Sequence, residues 1–306
     1  MNKHLKTYLT HCKFERKLDP KTLKAYKADL TQFINYAKGQ FSIFSLEKID
    51  KNVIKAYIET LNHLSNNTIR RKIASLKAFF NFHEFEDEIL VNPMRKIRFR
   101  IKAEKRIPRT LNKYELENFL KQVYLCEKDE ELTYYRSVII ARDIAIVELM
   151  VSTGLRVSEV SNLTKQSFNS DFTLLKVVGK GNKERRMPIT NLAVREALIR
   201  YNHLSRSHAF FFTNRRGNKL STQSIRIIIQ NLGKKSTLKE KVNPHTLRHT
   251  FATLLLENDT DIRYIQQFLG HSSVVTTQIY TKVTEQKKTE ILLKNNPRNF
   301  IDSRLS

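Results

Sequence analysis

The sequence predicts a mainly α protein with a small β-sheet, divided into an all-helical N-terminal domain and an α+β C-terminal domain. Three observations carry that reading. Apolar residues recur at helical spacing three times within the first 95 residues. Further along, "FTLLKVVGKGNKERRMPI" reads instead as two short strands around a glycine-containing turn. Between these regions, "NPMRKIRFRIKAEKRIPRTL" sets two prolines around a basic run without helical period, as a linker would. The expected divisions are 1–95 for the helical domain, 96–108 for the linker and 109–306 for the mixed domain.

The start, "MNKHLKTYLTHCKFERK", is an interrupted amphipathic pattern and lacks the apolar core of a signal peptide. Asp19 as N-cap and Pro20 in the first turn open a helix. Leu23, Tyr26, Leu30, Phe33 and Ala37 share one face of it, and Gly39 is placed to stop it. "DKNVIKAYIETLNHL" gives a second helix, with Val53, Ile54, Tyr57, Ile58 and Leu61 turned inward. "SNNTIRRKIASLKAFFNFHEF" gives a third, capped by Ser65, Asn66 or Asn67, with Ile69, Ile73, Leu76 and Phe80 inward. Arg70, Arg71, Lys72 and Lys77 are assigned to its outer face. Beyond the linker, "LNKYELENFLKQV" and "SVIIARDIAIVELMVSTG" are helices, the second almost wholly apolar and therefore buried. "AFFFT" reads as a further strand, and helices are expected over 191–205, 221–232, 244–257 and 260–268. In the tail, Thr284 can cap a short helix carrying Ile291, Leu292 and Leu293 ahead of Pro297. A helix that short is not stable alone in water and must bury its apolar side somewhere.

Lysine and arginine total 55 against 30 acidic residues, a net charge of +25, in a chain that is 40% apolar. Such a bias in a folded protein points to nucleic acid or an anionic membrane. No run approaches the roughly 18 apolar residues that span a bilayer, so nucleic acid is preferred and no membrane is expected. Cys12 and Cys126 stand far apart, which suggests neither a disulfide framework nor a cysteine zinc site. A reducing cytoplasm fits.

The chemistry concentrates in a few stretches. In "VNPHTLRHTFATLLLEN", Asn243 can cap a helix with Pro244 in its first position. His245, Arg248 and His249 then fall within one sector of about 100°, opposite Leu247, Phe251 and Leu254. That polar sector lies on the first turn, where the dipole and free N–H groups favour an anion. A metal fits less well, because the glutamate of H-E-x-x-H is missing and the Arg248 cation would repel a divalent ion. In "STGLRVSEVSNL", Gly154 ends the buried helix, and Glu159 can reach back to hold the Arg156 guanidinium. Taken alone, that is a structural ion pair. Lys180 sits at the hairpin tip between Gly179 and Gly181; taken alone, it is an exposed turn lysine. "FLGHSSVVTTQIYTKV" adds His271 and, nine residues on, Tyr280.

As an ordered set, Arg156 in "TGLRVSE", Lys180 in "GKGNKER", His245 and Arg248 in "HTLRHTFAT", His271 in "LGHSS" and Tyr280 in "QIYTKV" closely resemble the tyrosine recombinase family, the phage integrase and Xer proteins. The similarity extends over nearly the whole chain, since the helical domain looks like that family's core-binding domain. The resemblance implies a site-specific recombinase that cleaves and rejoins DNA strands through a 3′-phosphotyrosine. Arg156, Arg248 and His271 would hold the phosphate, Tyr280 would attack it, His245 would take the tyrosine proton and Lys180 would protonate the leaving 5′ oxygen. Neither ATP nor a metal is then needed, so no cofactor is expected. It further implies double-stranded DNA as partner, four protomers on two duplexes, a cytoplasmic, nucleoid-associated protein, and a tail helix near 284–296 exchanged between neighbours. The four basic residues at 70, 71, 72 and 77 would contact phosphates.

One stretch departs from the compact Xer pattern. "YLCEKDEELTYYRSVIIARD" is longer than the corresponding loop and carries an acidic patch at 127–131, which speaks for a mobile-element integrase or resolvase as much as for a chromosome-dimer role. Two rivals belong to other classes: a DNA-binding protein of this fold that does not cut, and a monomeric type IB topoisomerase. The intact six-residue set opposes the first, and the separate helical domain with its "GKGNKER" hairpin opposes the second.

Overall fold

The structure, a computed structural model, describes residues 1–98, 109–125, 133–179, 184–206, 208–236, 238, 241–270 and 285–301. Lys180, His271, Tyr280, the acidic 127–131 patch, most of the expected linker and the Thr284 cap lie outside the described residues. The chain divides into two compact units, Met1–Arg106 and Ile107–Ser306.

The first unit holds α1 (Asn2–Phe14), α2 (Pro20–Phe41), α3 (Lys51–Glu59) and α4 (Asn66–Phe85). Short polar side chains start three of them. Asp19 accepts the Lys21 N–H, Asp50 those of Asn52 and Val53, and Ser65 that of Thr68, so orphan donors of each first turn are satisfied. Their apolar stripes meet in an aromatic core of Tyr8, Phe33, Tyr57, Phe79 and Phe80. Each such fully buried side chain contributes roughly 1.5–3 kcal/mol.

Three expectations for this unit need correction. The opening stretch is a regular helix, α1, because Leu5, Tyr8 and Cys12 form one buried stripe among polar neighbours. Gly39 does not stop α2, which runs to Phe41 and ends at Ser42 in the left-handed conformation with φ 53°. A glycine inside a helix costs only about 1 kcal/mol, and the Tyr36–Phe41 ring contact spans it. Lys72 is not on the outer face of α4: it is buried, with its ammonium 3.0 Å from Asp29 and 2.6 Å from Gln32. Three residues after Ile69 and four before Leu76, position 72 falls on the inward stripe. The buried Asp29 carboxylate gives a cation reason to be there, and Arg71 pairs with the same carboxylate. Arg70 and Lys77 remain exposed.

The second unit is built around α6 (Tyr134–Thr153), whose eleven buried residues include every position from Ile144 to Thr153. Against it pack α5 (Lys113–Leu125), α8 (Leu192–Leu204), α9 (Thr222–Lys235) and α10 (Pro244–Glu257). The short α7 (Val157–Asn162) and α11 (Ile262–Leu269) complete the described helices around the site. The sheet is a single antiparallel pair, β1 (Leu174–Val178) and β2 (Glu184–Pro188), with Leu175 opposite Met187 and Val177 opposite Arg185. "AFFFT" is not a strand. It bends through the core with one bridge, Thr213 to Lys219, because Phe211 and Phe212 are both buried and no described strand offers a ladder.

In the single chain described, α12 (Glu285–Asn295) packs on its own unit, with Leu292 fully buried in the core. Asn295 donates to Asn258 O and Thr260 Oγ1, and Asn296 donates to Ser152 O. A 3-10 turn at Pro297–Phe300 then inserts Arg298 beside Glu148, with paired bonds of 2.7 and 2.9 Å. Tyr124 adds a 2.6 Å bond to the same carboxylate. A charge that deep is tolerated only when its partner and hydrogen bonds are complete, and here they come from the same chain.

Candidate active site

Gly154 turns the chain from the buried α6 into α7, at φ 61°. A Cβ there would stand 2.5 Å from Phe251 Cδ1, so both the backbone conformation and the contact require glycine. The turn delivers Arg156 as the N-cap of α7. Glu159 reaches back as expected: one carboxylate oxygen accepts the Arg156 backbone N–H at 2.8 Å, the other its Nη1 at 3.0 Å.

Arg248 lies on the first half of α10 and is 6% exposed. Its two Nη groups donate, each at 2.7 Å, to Gly154 O at the end of α6 and to Leu269 O at the end of α11. Arg156 Nη2 donates to Gly270 O at 3.2 Å. The two arginines therefore meet at the end of α11, although they stand 92 positions apart. Burial first, then Arg156, brings the Arg248 guanidinium down to about 10, so it stays charged near neutral pH.

His245 is exposed, one turn ahead of Arg248, with its ring centroid 6.5 Å from that of His249. Burial, then His245 and Arg248, lowers the His249 imidazole, which favours its neutral form. The free N–H groups expected to draw an anion to the start of α10 are occupied: Asn243 Oδ1 accepts those of His245 and Thr246 at 2.9 and 3.1 Å. Cationic side chains, not the helix end, carry the positive field here.

Sequence reasoning missed Arg185. It forks onto both oxygens of Glu159 at 2.9 Å each and donates through Nε to Phe268 O at 2.9 Å. Burial works against the Glu159 charge, but the Arg185 bonds and charge, then Arg156, hold its carboxyl below the usual carboxylate range. Two guanidiniums thus share one carboxylate and that of Arg248 stands near them, leaving positive charge in excess. Among the described residues no group of three or more histidine, cysteine, aspartate or glutamate side chains could hold a metal, and no helix is long and apolar enough to cross a membrane.

A helical unit is followed by a mixed unit whose converging arginines suit an anion such as a phosphodiester. Residues 124–287 match the phage integrase family, and residues 5–86 match the phage integrase N-terminal SAM-like domain. A tyrosine recombinase of Agathobacter rectalis is 41% identical over 303 residues, 96% of each chain. Tyrosine recombinase XerC of Thermodesulfovibrio yellowstonii is 35% identical over 305 residues, again 96% of each. Among solved structures, XerH recombinase on a palindromic difH substrate, post-cleavage, gives a TM-score of 0.69 at 25% identity, covering 94% of this chain and 83% of that one. A lambda integrase tetramer on a Holliday junction has the same fold, with a TM-score of 0.69 at 18% identity, over 92% of this chain and 80% of that one. The chain belongs to the phage integrase family and is a tyrosine recombinase, a site-specific DNA strand-transferring enzyme.

Proposed function

We propose that Tyr280 is the nucleophile of this recombinase and that Arg156 and Arg248 hold the scissile phosphate of duplex DNA. The observation that carries the reading is the meeting of the two arginines on successive carbonyls at the end of α11, with positive charge left over for an anion. A phosphodiester resists attack because its charge repels nucleophiles and its 5′ oxygen leaves poorly. Guanidinium forks on the non-bridging oxygens neutralise the charge that builds in the five-coordinate transition state. The Tyr280 oxygen bonds to phosphorus, its proton passes to His245, and His271 adds a further donor to the phosphate. The bond to the 5′ oxygen breaks, and Lys180 protonates that oxygen. The bond energy stays in the 3′-phosphotyrosine, so a second 5′ hydroxyl can reverse the step without ATP.

The working assembly in this reading is four protomers on two duplexes, in integration, excision or dimer resolution. The exposed Arg70 and Lys77 of the first unit, in a chain of net charge +25, suit phosphate contact.

A nicked duplex built on the sequence that the protein enriches from a random library traps the intermediate. The wild type is expected to give a denaturant-resistant adduct; Tyr280→Phe should bind the same duplex equally and give none. An adduct with the phenylalanine variant would move the nucleophile elsewhere. No adduct with the wild type would leave a DNA-binding protein that does not cut.

A further inference from the structure

We infer that Arg185 is a positioning residue for DNA cleavage: it sets the carboxylate that aims Arg156 and ties the β-hairpin to the end of α11. The inference rests on reading Arg156 and Arg248 as the phosphate-binding pair.

The run "ERR" at 184–186 has two arginines, and strand periodicity separates them. Arg185 lies opposite Val177 and two residues before Met187, on the face whose apolar members are buried. Arg186 lies opposite Lys176 on the other face, where Lys176 pairs with Glu184. Only Arg185 can turn towards the site.

The strengths of its contacts differ in kind from those of Arg156. The Arg156–Glu159 pair has one partner 35% exposed, so water screens it and holds it less firmly than a pair buried on both sides. It does not fix a guanidinium by itself. The Arg185–Glu159 pair is bidentate, with side chains 12% and 4% exposed, so it sets the plane of the carboxylate. With Arg185 removed, Glu159 would keep its bond from the Arg156 backbone N–H but lose the fork that sets the plane of its carboxylate, and the Arg156 guanidinium would lose its fixed aim.

The third contact widens the role. Three successive carbonyls at the end of α11 receive three arginines from three elements: Phe268 from Arg185 on β2, Leu269 from Arg248 on α10, and Gly270 from Arg156 at the start of α7. Arg185 joins the hairpin to the place where Arg156 and Arg248 already converge. Space for it is reserved by glycine. A Cβ on Gly270, itself at φ 61°, would stand 3.0 Å from Arg185 Nη1.

The test uses the full chain and the nicked duplex described above, with either an ordinary phosphate or an uncharged methylphosphonate at the cleaved position. Arg185→Met should form adduct roughly 100-fold more slowly on the ordinary phosphate, with unchanged DNA affinity. Arg185→Lys should do no better, because an ammonium cannot fork across two oxygens. On the methylphosphonate, which has no charge to neutralise, the deficit of either variant relative to wild type should shrink at least about tenfold, in parallel with that of Arg156→Met. Equal deficits on the two substrates would make Arg185 a fold residue only, and a wild-type rate would overturn the inference outright. Should Arg185→Met fail to fold, Arg185→Lys decides, since it keeps the charge and most of the side-chain volume. A wild type without adduct defeats the phosphate-binding reading itself, and this one with it.

Discussion

At the scale of single residues, the site depends on arginines that each bind several groups at once. Arg248 is bound to two backbone carbonyls from different helices, and lysine can reach only one of them. Arg248→Lys should therefore lower stability by about 1–3 kcal/mol, the cost of an unpaired buried acceptor, in addition to slowing cleavage. Urea melts and single-turnover adduct assays on one preparation separate the two effects; unchanged stability would mean that the carbonyl bonds are incidental. Glu159 gives a pH dependence with a definite sign. Its native carboxyl titrates below the ordinary value of 4.5, so its contribution is complete above that value and is lost as pH falls through the native one. Glu159→Gln should be less stable than wild type at neutral pH, with the difference narrowing below about pH 4.5. A gap that stays constant in acid would show that the carboxylate charge is not what holds the arginines.

At the scale of elements, α6, α7, α10 and the hairpin converge because their turns are chemically specified. Gly154 is the clearest case. Gly154→Ala combines a left-handed φ with a Cβ pressed against Phe251 and Leu269, and should cost more than about 2 kcal/mol. A thermal-shift comparison checks it; a midpoint near wild type would mean that α6 and α10 can move apart. Elements with a cap and a strong apolar period were legible in the sequence, as were the Arg156–Glu159 pair, three residues apart, and the hairpin. Other features failed for physical reasons. α1 has a buried stripe too thin to stand out from its polar majority. The β propensity of "AFFFT" had no ladder to join. Lys72 was placed outward because its charge outweighed its position on the helix. Arg185 was hidden because choosing between adjacent arginines needs the strand register, and its partners, Glu159 and Phe268, lie 26 and 83 positions away.

At the scale of the whole molecule, the second unit closes on its own far end. Glu148 is fully buried and Arg298 nearly so. Arg298→Met should destabilise by roughly 3–5 kcal/mol, because it leaves the carboxylate unpaired, whereas the double variant Glu148→Leu with Arg298→Met should regain most of that loss. Calorimetry on the three proteins decides; an Arg298→Met midpoint at the wild-type value would mean that water or another side chain replaces the arginine. The same arrangement has a consequence for biosynthesis. Arg298 is made 150 residues after Glu148. At about 5–20 residues per second, the ribosome takes roughly 8–30 s to cover that interval. During it the helical unit already has its whole sequence, while α6 still carries a carboxylate that it cannot bury. The Glu148 pair that closes the second unit therefore forms only once Arg298 has been made, well after α6 itself.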